Sequence, residues 1–161
     1  MRLFLFFLIY LVQILPAAAE LKVVDGDSLE LDGARIRLEG IDAPEYHQQC
    51  KDNAGKSYAC GQVSLDYLKS LVKGQEITCQ CADEPDRYGR KLCECFADGL
   101  SLNQEMVRAG QAVSYRSEKM NILEKTAKKE NVGIWQGKFM HPALYRTLYR
   151  AKNKYKKTYR K

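Results

Sequence analysis

Two Cys-x-Cys pairs, Cys79/Cys81 and Cys93/Cys95, bracket the turn-forming run Asp86-Arg87-Tyr88-Gly89-Arg90. Residues two apart on a strand share a face, so each pair turns both thiols to one side. Folding the segment back at the turn sets Cys79 against Cys95 and Cys81 against Cys93, which specifies an antiparallel hairpin and its register. Of the six cysteines, Cys50 and Cys60 are then left for each other. Complete pairing suits an oxidising compartment. A four-thiolate zinc site is the rival use of the same side chains; Cys-x-Cys halves on facing strands of an exported chain favour disulfides.

The opening residues point to export. Met1-Arg2, the apolar run Leu3 to Leu15 and then Pro16-Ala17-Ala18-Ala19 have the order of a secretory signal, with cleavage expected after Ala19. The run falls short of the ~20 residues of a membrane span, so a secreted or periplasmic address is expected rather than a retained anchor.

With 161 residues, 45% of them hydrophobic, the chain suits one domain: a signal over 1–19, a folded body over 20–143 and a basic tail over 144–161. Alternation and turn residues predict strands at Leu21 to Val24, Ser28 to Asp32, Ala34 to Glu39, Glu76 to Cys81 and Leu92 to Phe96. Helical spacing of Val63, Leu65, Leu68, Leu71 and Val72 predicts a helix between Gly61 and Gly74. Two more are expected over Leu100 to Ala109 and Ser117 to Asn131, with Trp135 plugging the core. The class is α+β, mainly β. Five short strands with a helix after the third fit a small closed barrel of the oligonucleotide/oligosaccharide-binding (OB) type with three helices.

The tail has its own composition. Arg146, Arg150, Lys152, Lys154, Lys156, Lys157, Arg160 and Lys161 occur without an acid, whereas residues 20–145 carry 17 Lys/Arg against 20 Asp/Glu. The net charge of +6 is therefore a property of the tail. Leu144, Leu148, Ala151, Tyr155 and Tyr159 recur at helical intervals, so a basic amphipathic helix is expected there. It would tether polyanions or rest on an anionic surface, apart from any chemistry.

Chemistry is expected elsewhere. Asp25-Gly26-Asp27 and Asp32-Gly33 are tight-turn sequences, and the hairpin between them folds Asp27 back toward Asp42 with Arg37 near both. The block Ile41-Asp42-Ala43-Pro44-Glu45 and the later Asp86-Arg87-Tyr88-Gly89-Arg90 add a further acid and a further arginine. Phosphodiester cleavage needs a positioned water, a proton acceptor and positive charge around phosphorus. His47 and His141 are expected to be loop and surface residues.

These three blocks, in order, resemble the staphylococcal nuclease (thermonuclease-like) family: Asp-Gly-Asp-Ser, an Arg five residues before Asp-x-Pro-Glu, and Asp-Arg-Tyr-Gly-Arg. The likeness runs from about Leu21 to about Trp135. It implies an OB-type barrel and a nuclease acting on DNA and RNA, single strands preferred, as a monomer. It further implies Ca²⁺ held by Asp27, Asp42 and the Ala43 carbonyl, the last where the best-known member has Thr. By the same resemblance Glu45 activates water, Arg37 and Arg90 grip the phosphate, and Tyr88, Tyr115 and Arg87 contact the nucleotide. The alternative is a non-catalytic nucleic-acid-binding module or envelope-associated adaptor on the same fold.

Overall fold

In the computed structural model, which describes residues 20–159 and side chains as far as Lys156, Asp32 and Gly33 both take positive φ, 49° and 76°. That backbone is what a two-residue hairpin turn demands. It joins β2 (Ser28–Leu31) to β3 (Ala34–Leu38), and β2 also pairs antiparallel with β1 (Leu21–Asp25). The expected signal over 1–19 lies outside the described residues, as do the side chains of Lys157, Tyr159, Arg160 and Lys161.

β4 (Ile41–Asp42) follows, then a small hairpin of β5 (Cys50–Lys51) and β6 (Ser57–Tyr58). Helix α1 (Cys60–Val72) starts where the second half of the Cys50–Cys60 bridge is fixed. β7 (Ile77–Cys81) and β8 (Lys91–Ala97) pair in the expected register, Cys79 opposite Cys95 and Cys81 opposite Cys93, and both pairs are bonded. β9 (Leu100–Ser101) leads into α2 (Leu102–Arg108), β10 (Val113–Ser114) precedes α3 (Glu118–Glu130), and α4 (Pro142–Tyr159) ends the described chain. Ser101 and Ser117 cap α2 and α3 by accepting from Gln104 N and Met120 N, and Asn131 closes α3 in the left-handed conformation.

The sheet runs β1-β2-β3-β8-β7, with β9 on the far end of β8 and the β3–β8 pairing parallel. Two expectations change here. The sheet has six strands, and among the described residues its edges β1 and β7 do not pair, so no closed barrel forms. β1 also packs against α1. The three expected helices of the body are present, and the helix expected in the basic tail runs from Pro142, which makes four α-helices among the described residues.

Leu29, Leu38, Leu68, Leu102 and Met106 form the fully buried centre, each side chain stabilising by roughly 1.5–3 kcal/mol relative to exposure. A smaller cluster gathers Cys50, Cys60, Val113 and Ile134. Trp135 packs on that cluster's flank, edge-on to Phe139 at 4.8 Å, and Ile134 is the residue that goes inside. Buried Asn103 accepts from Cys95 N and donates to the carbonyls of Glu39 and Cys93, tying the end of β3 to β8 and α2.

Candidate active site

Glycine lets three backbone segments meet at one edge of the sheet. A Cβ on Gly26 would collide with Ser64 and Ala43, and one on Gly61 would overlap the Glu45 carbonyl. The Gly26 backbone thus sits against the Ser64 and Ala43 side chains, and the start of α1 lies directly on the Glu45 backbone. β4 is held by β10, Asp42 opposite Val113, and Tyr115 N donates to the Gly40 carbonyl. This pairing carries Tyr115 to the same edge.

Asp27 and Asp42 are both buried, and Arg37 joins them: Nη1 lies 2.8 Å from Asp27 Oδ2 and Nη2 lies 3.1 Å from Asp42 Oδ1. The hairpin therefore brings the two acids to one arginine, as the turn sequences indicated. Asp27 also accepts from Ser28 Oγ at 3.0 Å and from Ala43 N at 2.8 Å. Burial pushes its carboxyl up to about 7, against the opposing pull of Arg37, with neighbouring Asp25 adding to the rise.

Arg90 approaches from the β7–β8 turn. Asp86 Oδ2 accepts from its Nε at 2.9 Å and Nη2 at 2.7 Å, and Asp86 Oδ1 accepts from the backbone N–H groups of Tyr88 and Arg90. One carboxylate thus sets both the turn and the guanidinium. These bonds hold the Asp86 carboxyl below its ordinary range despite the opposing effect of burial. Arg90 Nη1 reaches Ser28 Oγ at 3.4 Å, beside Asp27. Arg87 lies over the Tyr88 ring at 4.8 Å.

The fourth arginine is one that sequence reasoning set apart from chemistry. Arg146, on α4, donates from Nη1 to Asp42 Oδ1 and Glu45 Oε1, both at 2.8 Å, and from Nη2 to Asp42 Oδ2 at 3.0 Å. One turn later Arg150 borders the same cleft, and the guanidinium groups of Arg87 and Arg150 hold the Tyr88 phenol below the ordinary tyrosine value. Two further contacts seat the helix. Tyr145 Oη donates to the His47 carbonyl at 3.1 Å, and buried Gln48 donates to the Met140 carbonyl at 2.6 Å while accepting from Glu45 N at 3.3 Å. Neither Arg146 nor Gln48 stood out in the sequence. The only signal was the helical spacing of the tail, which gives no direction in space.

Asp27, Arg37, Asp42, Glu45, Arg87, Tyr88, Arg90, Tyr115, Arg146 and Arg150 all border one cleft of about 1090 Å³. Asp25, Asp86 and Glu94 add acids to its walls. Every sequence-predicted site side chain is therefore gathered there. Ala43 contributes from the backbone: its N–H donates to Asp27.

Guanidinium groups converging beside buried carboxylates give this mixed α+β body a charge arrangement that suits phosphate oxygens. The chain is a member of the staphylococcal nuclease homologue family, whose profile matches residues 35–137. Among similar proteins, the succinoglycan biosynthesis protein ExoI of Rhizobium meliloti (strain 1021) is 35% identical over 136 residues, 81% of this chain and 71% of that protein. An uncharacterized endonuclease of Escherichia coli O157:H7 is 37% identical over 123 residues, 71% of this chain and 73% of its own length. The probable staphylococcal-like nuclease CAN1 of Oryza sativa subsp. japonica is 30% identical over 105 residues, 63% of this chain and 28% of its own. The family match ends before α4.

Proposed function

We propose that this protein is a phosphodiester hydrolase, a nuclease cutting DNA and RNA with a preference for single strands, working as a monomer in the periplasm or outside the cell. The observation that carries the reading is the bridge from Arg37 to Asp27 and Asp42, which unites two acidic blocks beside Glu45. Three disulfides are those of an oxidising compartment, in keeping with export.

In this reading Arg37 and Arg90 fork onto the oxygens of the scissile phosphate and stabilise the charge it gains. Glu45 takes a proton from water as the water oxygen bonds to phosphorus and a P–O ester bond breaks; the departing oxygen takes its proton from solvent. Tyr88, Tyr115 and Arg87 hold the neighbouring nucleotide. Arg146 leaves Glu45 before that step, because a guanidinium on Glu45 Oε1 blocks an oxygen that water needs.

Calcium fits the donor chemistry. Asp27, Asp42 and the Ala43 carbonyl offer hard oxygens of the kind Ca²⁺ accepts, and the two carboxylates lie buried together around Arg37. The ion would be held by those three residues, and when bound it supplies positive charge to the phosphate. Among the described residues no group of three or more His, Cys, Asp or Glu is spaced to hold a metal, so carbonyl and water oxygens would complete the shell.

Digestion of single-stranded DNA, duplex DNA and RNA by the mature protein with Ca²⁺, Mg²⁺ or chelator tests the reading. Cleavage that requires Ca²⁺ supports it. Binding without cleavage in every condition overturns it in favour of a non-catalytic nucleic-acid-binding module.

A further inference from the structure

A second, smaller cavity of about 120 Å³ adjoins the cleft. It shares Glu45, Arg146 and Arg150 with the cleft as a common wall, and Tyr46, His47, Tyr145 and Tyr149 complete it. Its side chains are aromatic or charged, without an aliphatic among them. The four rings do not have the same work to do. Tyr145 seats α4: its hydroxyl is spent on the His47 carbonyl and its ring stacks on Tyr149 at 5.9 Å. Tyr46 and Tyr149 are 48% and 42% exposed, with His47 between them, edge-on to Tyr46 at 4.8 Å and tilted 30° to Tyr149 at 6.5 Å.

An intramolecular contact that only had to pin α4 would bury its rings. Here two tyrosines keep large apolar faces in water, directly beside carboxylates and arginines. We propose that Tyr46, His47 and Tyr149 form a stacking subsite for one unpaired nucleobase, adjoining the phosphate held in the cleft. The proposal rests on the nuclease reading and adds to it a binding site made jointly by the loop after Glu45 and by α4.

Size limits the occupant. A cavity of about 150 Å³ accepts a single benzene ring; this recess of about 120 Å³ is smaller and shares a wall with the cleft, so it takes part of one base, the rest lying toward the cleft, and excludes a stacked pair. Chemistry selects it, because aromatic faces bind every base by its π-surface and cations at the rim, Arg146 and Arg150, meet the flanking phosphates. A base inside a duplex cannot reach the subsite without unpairing. The proposed single-strand preference then has a physical cause.

The test titrates a short oligothymidylate, carrying one 2-aminopurine at successive positions, into the full mature protein in chelator, so that binding is read without turnover. Emission should be quenched at one position in the strand. Tyr46→Ala and Tyr149→Ala should each lose the quench and weaken binding by about 5- to 150-fold, the equivalent of one stacked base, while Tyr46→Phe and Tyr149→Phe keep both. Tyr46 lies on the loop and makes its ring contact with His47, so its loss does not act by freeing α4. Equal quenching at all positions, or unchanged affinity in both alanine variants, overturns the subsite. A wild type that stacks the base yet never cuts with any metal overturns the nuclease reading and leaves the subsite standing.

Discussion

Arg146 grips Asp42 with both terminal nitrogens, Nη1 on Oδ1 at 2.8 Å and Nη2 on Oδ2 at 3.0 Å. Asp42 is fully buried and also bonded by Arg37, so a divalent cation and Arg146 compete for the same oxygens. Arg146→Ala should therefore tighten Ca²⁺ binding, by about 5- to 150-fold on the usual scale of coupling between two ligands. Calorimetric titration reads the change, and an unaltered affinity would mean that the two do not compete. Reciprocity adds a second observable: Ca²⁺ should speed amide exchange in α4 of the wild type.

Asp86 spends both oxygens on Arg90 and the Tyr88 turn. Asp86→Ala removes no group that touches substrate, yet it frees the Arg90 guanidinium. A displacement of about 1 Å can cost roughly a hundredfold in rate, and kcat/KM should fall by about that factor. Arg90→Lys should fall comparably, since a point charge replaces a fork. If Asp86→Ala cut at the wild-type rate, Arg90 would be set by something other than this clamp.

The β2–β3 hairpin, the disulfide register and the approach of Asp27 and Asp42 to Arg37 were legible because they depend on short-range periodicity and turn chemistry, whereas the roles of Glu45 and Arg90 came from the family resemblance. Cys79 and Cys81 could only face Cys95 and Cys93 once the strand alternation was read. Closure of the sheet was not legible, because whether β1 meets β7 or α1 depends on long-range packing that strand counting cannot supply. Arg146 was missed for a related reason. Its helix could be read from the spacing of Leu144, Leu148 and Ala151, but the docking comes from Tyr145 on a His47 carbonyl and Gln48 on a Met140 carbonyl. Backbone acceptors leave no pattern in a sequence.

Asp27 gives a pH dependence of definite sign. Burial pushes its carboxyl from 3.8 up to about 7 in the folded chain, so between those values the unfolded chain has released the proton that the folded chain still holds. Stability of the metal-free protein should then fall as pH rises from about 4 to about 7 and level off above. Asp27→Asn should flatten that slope and be the more stable protein at neutral pH. Urea denaturation across this range in chelator checks both; a wild-type slope retained in Asp27→Asn would assign it to other groups.

The three disulfides should differ in worth. Cys50–Cys60 spans 10 residues and is the one bridge that ties the loop after Glu45 to the start of α1, where Gly61 touches the Glu45 carbonyl. Loop closure alone makes it worth roughly 3 kcal/mol. Cys79–Cys95 and Cys81–Cys93 close nested loops on one hairpin, with only the Gln80–Glu94 pair between them, so each makes most of the other's entropic constraint redundant. Replacing both cysteines of either hairpin bridge by serine should therefore cost about 1 kcal/mol and leave kcat unchanged. Removing both hairpin bridges together should cost far more than twice that. Cys50→Ser with Cys60→Ser should lose roughly 3 kcal/mol and also lower kcat, because Glu45 loses its anchor. Denaturation midpoints and single-turnover rates measured on the three double variants decide the order. A hairpin bridge that proved as costly as Cys50–Cys60 would show that strand pairing alone does not hold β7 on β8.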